Sequence, residues 1–239
     1  LAGVGDIDGD GYDDVVVGAY GVDTGGSTAG AAYLLYGTLS ALAGAAPASA
    51  IAAATFNGDA SSAYVGRDVS AAGDVDGDGN DDFMLGASGW DAPGGGYNVG
   101  KAYLVYGSAS AYSGTQTVGD HPSFYGENGN DYVGYRKSLG HADLDGDGHA
   151  DLLVGAYGYD DSAGTQVGAG YVFYGSGTRW TSDVSVGGAD IMIEGESADG
   201  DSVFGMEMEG IGDVNDDGYE DMIATAKYYD APADNAGAA

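Results

Sequence analysis

The sequence predicts an all-β fold assembled from repeated units of four short strands. Three observations support this prediction. An acidic nine-residue pattern occurs four times, with starts 68, 69 and 70 residues apart, at Asp6, Asp74, Asp143 and Asp213. A short apolar run follows each copy and is typical of a buried strand: VVVGAY, FMLGAS, LLVGAY and MIATAK. Further strand-like segments then follow in the same order, which indicates a repeat architecture.

The acidic pattern predicts a calcium-binding loop. Calcium takes about six to eight oxygen ligands at roughly 2.3 to 2.6 Å, and alternate residues of a tight loop can direct oxygens at one centre. In the first copy, DIDGDGYDD, the glycines Gly9 and Gly11 allow the backbone to curl through conformations that are costly for other residues. The ligands expected there are Asp6, Asp8, Asp10, the Tyr12 carbonyl and Asp14.

The other three copies predict three further sites with the same spacing. The second site is predicted to use Asp74, Asp76, Asp78, the Asn80 carbonyl and Asp82. The third is predicted to use Asp143, Asp145, Asp147, the His149 carbonyl and Asp151. The fourth is predicted to use Asp213, Asn215, Asp217, the Tyr219 carbonyl and Asp221. The fourth should bind most weakly because it has one carboxylate fewer and Asp216 replaces a glycine. At position seven only the backbone carbonyl is expected to bind calcium. The identity of the His149 side chain in the third copy should therefore be nearly irrelevant to calcium binding.

Two other interpretations of this pattern fail. An EF-hand requires a bidentate Glu at position twelve and flanking helices. Position twelve is instead occupied by Val17, Leu85, Val154 or Ala224. A solvated acidic turn would explain one copy, but not four copies that all keep the carboxylate at position nine.

The composition restricts the function classes. The formal charge is −32, with 38 acidic and 6 basic residues, which excludes nucleic acid and anionic lipid as partners. Such acidity suits either general solubility or a salty, calcium-rich medium. The sequence has no cysteine, so disulfides and thiolate metal sites are excluded. We expect no membrane insertion, because no stretch approaches twenty strongly apolar residues.

The organisation of each unit is typical of a β-propeller blade. Two strands flank the acidic loop and two more follow a Gly-rich connection. The predicted blades cover approximately 1–56, with a truncated first strand, 57–126, 127–196, and a half blade at 197–239. We expect either that the chain is a segment of a longer protein or that a second chain supplies the missing strands. Tyrosines that recur in each third strand are predicted to pack between blades.

The sequence resembles the FG-GAP repeats of integrin alpha subunits and their bacterial relatives. The Phe-Gly step of that family corresponds to Val65-Gly66, Val133-Gly134 and Phe204-Gly205. Its Gly-Ala-Pro step corresponds to Gly18-Ala19-Tyr20, Gly86-Ala87-Ser88 and Gly155-Ala156-Tyr157, and is degraded to Thr225-Ala226-Lys227 in the last copy. The resemblance implies a β-propeller, usually of seven blades, of which about three and a half are present. It also implies that the acidic loops bind calcium between the two inner strands of a blade.

The same resemblance implies that the face opposite the calcium loops recognises ligands. That face would carry the connections 21–30, 89–100 and 158–170. A sugar or a protein side chain could stack on aromatic residues there and contact neighbouring carboxylates. The candidates are Trp90, Asp91, Tyr97, Tyr157, Tyr159 and Asp160. The alternative is that these residues only cover the edges of the blades.

The sequence therefore predicts an extracellular or cell-surface propeller segment that serves adhesion or recognition of a protein or glycan ligand, with calcium in a structural role. The alternative is a non-catalytic scaffold within a larger secreted enzyme or an extracellular filament. We expect no catalytic site, because no nucleophile-elbow motif is present and the calcium spacing already explains the paired carboxylates. Three basic residues near blade starts are expected to pair with local acids: Arg67, Arg136 and Lys137.

Overall fold

The computed structural model describes residues 1–38, 46–196 and 203–227, so part of the predicted unit 197–239 lies outside them. Strands dominate these residues, and the all-β prediction is confirmed. In chain order the strands are β1 Ala2–Gly5, β2 Asp14–Gly18, β3 Ala31–Leu35, β4 Ala54–Asn57, β5 Asp68–Gly73, β6 Asp82–Ala87, β7 Lys101–Val105, β8 Gly114–Thr117, β9 Ser123–Tyr125, β10 Leu139–Ala142, β11 Asp151–Ala156, β12 Ala169–Phe173, β13 Val184–Ser185, β14 Ile191–Glu194, β15 Phe204–Gly212 and β16 Asp221–Ala226.

Within residues 1–38, 46–196 and 203–227, helical structure is limited to single turns. An α-helical turn covers Ala48–Ile51, and 3-10 turns cover Val118–Asp120 and Val186–Gly188. Over the residues that the structure describes, no helix has the length and apolar character needed to cross a membrane.

The strands form successive antiparallel sheets, within which the strands pair in chain order apart from β8 and β13. The first sheet contains β1, β2, β3 and β4, the second β5, β6, β7 and β9, and the third β10, β11, β12 and β14, while β15 pairs with β16. In every sheet the acidic loop joins the first strand to the second. The register places the residue at position nine opposite the end of the first strand, in the pairs Gly5–Asp14, Gly73–Asp82, Ala142–Asp151 and Gly212–Asp221.

The hydrophobic core lies between neighbouring sheets. On β6, Phe83 and Leu85 pack with the first sheet, whereas Met84 packs with the third. Successive side chains on a strand point to opposite faces, so a sheet between two others buries both of them. All six residues of β6 and all six of β11 are accordingly buried. Face-to-face stacking of four-stranded sheets is the arrangement of propeller blades.

Two short strands cross from one unit to the sheet of the previous unit, which the sequence reasoning missed. β8 pairs in parallel with β4, the outer strand of the first sheet, and β13 pairs in parallel with β9, the outer strand of the second. Each crossing strand precedes a 3-10 turn that buries one valine, Val118 or Val186. The first two sheets therefore have five strands, and the crossing strand links each to the next unit.

Tyrosines of the third-strand region also connect neighbouring units, as predicted. The Tyr36 hydroxyl accepts the Tyr112 backbone N–H at 2.6 Å. The equivalent Tyr106 hydroxyl accepts the Trp180 N–H at 2.8 Å. These repeated bonds fix the approach of each crossing segment.

Candidate metal centres

Each acidic loop is curled by two residues in the left-handed region, and in the first three loops both are glycines. In the first loop, φ is 71° at Gly9 and 90° at Gly11, and the second and third loops repeat these values closely. The carboxylate of Asp6 then accepts the backbone N–H groups of Asp10 at 3.0 Å and Gly11 at 2.8 Å. The first residues of the other loops make the same pair of bonds: Asp74, Asp143 and Asp213.

The residue at position seven follows the same rule in every loop. Its backbone N–H donates to the carboxylate at position five over 2.9 to 3.0 Å, from Tyr12, Asn80, His149 and Tyr219 to Asp10, Asp78, Asp147 and Asp217 respectively. In the third loop the Nδ1 atom of His149 also lies 3.1 Å from an oxygen of Asp147. The four loops thus share one internal hydrogen-bond pattern.

The carboxylate at position nine fastens each loop to the sheet. Asp82 is fully buried and accepts the N–H groups of Val75 at 3.0 Å and Gly107 at 2.7 Å. Burial raises its pKa to about 8. Asp14 and Asp151 make equivalent pairs of bonds, and burial raises the pKa of each to about 6. A nearby cation would favour the charged form of all three groups.

The loops bring carboxylate oxygens together in groups that could hold a metal ion. In each group three oxygens lie within 4.8 Å of one another. The groups are Asp6, Asp8 and Asp10 in the first loop, Asp74, Asp76 and Asp78 in the second, and Asp143, Asp145 and Asp151 in the third. The third loop therefore uses position nine where the first two use position five.

The first loop supplies a test of whether its residues suit a metal ion. The Oδ1 atom of Asp8 is buried and has no hydrogen-bond partner among the residues that the structure describes. Burial and then repulsion from Asp10 raise the pKa of Asp8. A buried carboxylate oxygen without a donor is costly unless a cation satisfies it. An all-oxygen set of this kind suits a hard cation.

The second loop contains a basic side chain that the sequence reasoning missed. Arg179 follows β12, more than a hundred residues away along the chain, and its guanidinium donates to the carboxylates of Asp76 and Asp78. These are two of the three clustered carboxylates. A protein cation thus already contacts this group.

The fourth loop differs from the others at positions three and four. Asn215 provides an amide in place of a carboxylate, and Asp216 adopts a φ of 59° where Gly9, Gly77 and Gly146 have 69° to 73°. A residue with a Cβ is strained in this region, although Asp tolerates it better than most.

Neighbouring loops also contact one another. The backbone N–H at position eight of one loop donates to the first carbonyl of the loop before it, in the pairs Asp81–Asp6, Ala150–Asp74 and Glu220–Asp143, over 3.0 to 3.1 Å. The position-seven side chain lies against the first glycine of that earlier loop, so a Cβ added to Gly77 would be 2.6 Å from Nε2 of His149. The His149 side chain, which was not expected to bind calcium, therefore packs between two loops.

The candidates for a ligand surface have varied surroundings. Tyr97 is 70% exposed, whereas Trp90 is partly buried, with Nζ of Lys101 4.4 Å from its ring centroid. Tyr159 donates its hydroxyl to Glu194 at 2.9 Å. Tyr157 stacks on Tyr132 with centroids 5.1 Å apart. The two aspartates belong to turns: Asp91 accepts the Asn98 N–H, and Asp160 forms a β-bridge with Gln166.

The three basic residues near blade starts do not form the predicted pairs. Among the described residues, Lys101 and Arg179 form ion pairs, and the ring of His149 contacts Asp147. Arg67 instead lies among aromatic rings, 4.4 Å from the centroid of Tyr135. The expectation of local acidic partners was wrong for this part of the chain.

The antiparallel sheets stack on one another, and each has an acidic loop at the same place. Three of these loops cluster carboxylates that could hold a metal ion. These features define the class of protein as a β-propeller segment. The FG-GAP repeat family model matches residues 2–35 and 137–173, which include the first and third loops. The chain belongs to the FG-GAP repeat family.

Curated relatives with similar sequences are integrin alpha chains. Integrin alpha-6 of Gallus gallus is 37% identical over 86 residues, which cover 36% of this chain and 7% of the relative. Integrin alpha-PS2 of Drosophila melanogaster is 32% identical over 174 residues, which cover 69% of this chain and 10% of the relative. The chain thus spans a tenth or less of the length of these relatives.

Proposed function

We propose that this chain is a calcium-stabilised propeller segment that serves adhesion or ligand recognition at the cell surface or outside the cell. The similarity to integrin alpha chains supports the adhesive role. The observation that carries the calcium proposal is the orphaned, buried Oδ1 atom of Asp8 within a group of three clustered carboxylates. Calcium would supply positive charge and oxygen coordination there.

We propose four calcium sites, with the ligands at positions one, three, five, seven and nine of each loop. In the third loop the clustered oxygens support Asp151 directly as a ligand. The fourth site would be the weakest, because it has an Asn at position three and Asp216 at the strained position four. The blades proposed to carry these sites cover 1–56, 57–126, 127–196 and 197–239.

The proposed role of calcium is to join blades as well as to order loops. Position eight of one loop donates a hydrogen bond to position one of the loop before it. An ion that fixes one loop would therefore also fix part of its neighbour. The ligand would be a protein or a glycan, and the opposite face would contribute Trp90, Asp91, Tyr97, Tyr157, Tyr159 and Asp160.

We propose a non-catalytic role for this segment. The surroundings of two of the three histidines support it: the ring of His121 packs on Phe56 and Tyr112, and His149 lies between acidic loops. The carboxylate clusters have calcium spacing rather than the arrangement of an acid and a base around a substrate.

Thermal melting of the protein with calcium and with a chelator tests the calcium proposal. An ion present at ten times its dissociation constant adds about 1.4 kcal/mol, so several filled sites should raise the midpoint clearly. Magnesium should replace calcium poorly, because it prefers a smaller octahedral shell. An unchanged midpoint after chelation would contradict a structural role.

A pair of matched variants locates the effect in the first loop. Asp8→Asn should lower the calcium-dependent part of the midpoint, whereas Asp13→Asn removes an exposed carboxylate that is not a proposed ligand and should have little effect. Equal losses in both variants would show that general charge, and not coordination, determines stability.

A further inference from the structure

Half of the basic residues of this acidic chain line one cavity. The chain has six Lys and Arg residues, and Arg67, Arg136 and Lys137 lie around a cavity of about 490 Å³. The cavity forms where the starts of the first strands converge, and residues before β5, β10 and within β15 all contribute to it. A cluster of cations on a chain with a charge of −32 creates a local site for an anion.

Arg67 has a polar group without a partner in this region. Its guanidinium carbon lies 4.4 Å from the ring centroid of Tyr135, 5.5 Å from that of Tyr64 and 5.7 Å from that of Tyr20. Its Nε atom is buried and finds no hydrogen-bond acceptor in the described part of the chain. The rings and the closed surroundings of Nε hold the side chain in place, so Arg67 offers the cavity a fixed positive charge rather than a hydrogen bond from Nε.

The third unit directs two more cations to the same place through one extra residue. Gly66 precedes its acidic loop by eight positions, whereas Gly134 precedes its own loop by nine. The chain accommodates the additional residue at Arg136 and Lys137, whose φ angles are 26° and 56°. Both side chains are exposed, and among the described residues neither forms an ion pair.

The rest of the lining restricts the chemistry of the ligand. Tyr20 is 49% exposed, and its ring offers a flat apolar surface. Glu207 is exposed and can accept hydrogen bonds from hydroxyl groups, whereas Asp68 is buried and already accepts the Leu139 N–H. Cations, an aromatic face and a hydrogen-bond acceptor together match a sugar that carries a carboxylate. A singly charged carboxylate also meets less repulsion from the acidic surface than a doubly charged phosphate does.

We propose that this cavity binds the carboxylate of an acidic sugar, a uronic acid. Arg67, Arg136 and Lys137 hold the carboxylate, the sugar ring packs on Tyr20, and Glu207 accepts from its hydroxyls. This inference deepens the proposed recognition role by naming a ligand class, and it relies on calcium only to keep the protein folded.

Calorimetric titration of the intact, calcium-loaded protein tests the proposal. Free glucuronate and a short oligogalacturonate distinguish a single sugar from a terminal residue of a longer glycan, and glucose serves as the neutral control. Binding of either acidic sugar but not of glucose supports the site. The double variant Arg136→Gln with Lys137→Gln should weaken binding at least about tenfold, since hydrogen bonds to charged groups contribute this much.

The single variant Lys137→Gln and the control Arg179→Gln each remove one charge, the first at the cavity and the second outside it. Arg179→Gln should leave sugar affinity within about twofold at saturating calcium and moderate salt, because exposed distant charges are screened. Equal weakening by both variants would assign binding to overall charge and overturn the site. Preference for an acidic peptide over both sugars would overturn the ligand class. No binding by protein that melts at its normal calcium-dependent temperature would overturn this inference alone, whereas loss of the calcium effect would count against the proposed function.

Discussion

The guanidinium of Arg179 donates to the carboxylate of Asp76, which joins the third unit to the acidic loop of the second. The same side chain reaches Asp78 and lies 4.7 Å from the ring centroid of Tyr106. A fixed cation at two clustered carboxylates opposes the binding of a second cation there. It also reduces the repulsion between those carboxylates when no ion is bound. The second loop should therefore depend less on calcium than the first.

Replacement of Arg179 by Gln should increase the calcium dependence of the second loop. Without calcium the variant should melt below the parent protein, because Asp76 and Asp78 lose their cationic partner. With calcium the difference in melting temperature between variant and parent should shrink, because the ion no longer competes with a guanidinium. Melting curves of both proteins with chelator and with excess calcium measure this difference. Equal calcium-induced shifts in the two proteins would contradict the competition.

Asp216→Gly should strengthen the fourth loop. Glycine adopts the φ of 59° seen at this position without the steric cost that a side chain incurs, which is at most about 1 to 2 kcal/mol and smaller for Asp. The calcium-dependent rise in melting temperature should increase. Gly146→Asp, at the same position of the third loop, is the reciprocal variant and should decrease it, since an added Cβ would lie 3.0 Å from the Tyr219 ring. Loss of stability in both variants would mean that Asp216 itself contributes to the fourth site.

Local sequence patterns predicted the parts of the fold that depend on local chemistry. Glycines at positions four and six, with carboxylates between them, favour the same curled loop wherever they occur, so the loops and their flanking strands could be located. The short apolar runs predicted β2, β6, β11 and β16 for the same reason. The repeat of these elements was sufficient to indicate stacked blades.

Features that depend on contacts between units could not be predicted in this way. β8 and β13 are short and carry no apolar alternation, and pairing with the previous sheet alone makes them strands. Arg179 is more than a hundred residues from Asp76, so nothing in the local pattern connects them. The positive φ angles at Arg136 and Lys137 follow from a single extra residue, which is visible only when the units are aligned.

Asp131 should make stability depend on pH between about 4 and 6. It is buried, and burial raises its pKa to about 6, although its carboxylate accepts the N–H groups of Glu127 and Asn128. The pKa of an unfolded Asp is about 3.9, so in this range the folded state binds more protons than the unfolded state. The contribution of Asp131 to stability therefore decreases as pH rises through this window.

Asp131→Asn should remove this contribution, because the amide oxygen still accepts the two N–H groups but carries no charge. The free energy of unfolding of the variant, relative to the parent protein, should rise between about pH 4 and pH 6 and then level off. Asp120→Asn, which removes an exposed carboxylate, should show no such rise. Urea denaturation at several pH values measures both differences, and parallel pH profiles for all three proteins would disprove the effect.

Lys101 and Asp183 form an ion pair that should fasten the crossing strand β13 to the second sheet. Nζ of Lys101 lies 2.7 Å from Oδ2 of Asp183, and Ser123 donates to Oδ1 at 2.8 Å. The two sides of the pair differ in environment, since the Lys101 side chain is 8% exposed and that of Asp183 is 48% exposed. Removing the carboxylate thus leaves a buried ammonium, whereas removing the ammonium leaves a carboxylate that water can reach.

A double-mutant cycle should reveal this asymmetry. Asp183→Asn should cost about 1 to 3 kcal/mol, the cost of a buried charged group that has lost its partner. Lys101→Met should cost less, because Asp183 remains hydrated and the methionine keeps the packing against Trp90. The free energy of unfolding of the double variant should be close to that of Lys101→Met, and not lower by the sum of both losses. Without the Lys101 ammonium, the change at Asp183 no longer leaves a buried charge without a partner. Denaturant unfolding at saturating calcium provides all four values, and strict additivity would show that this contact does not hold the crossing strand.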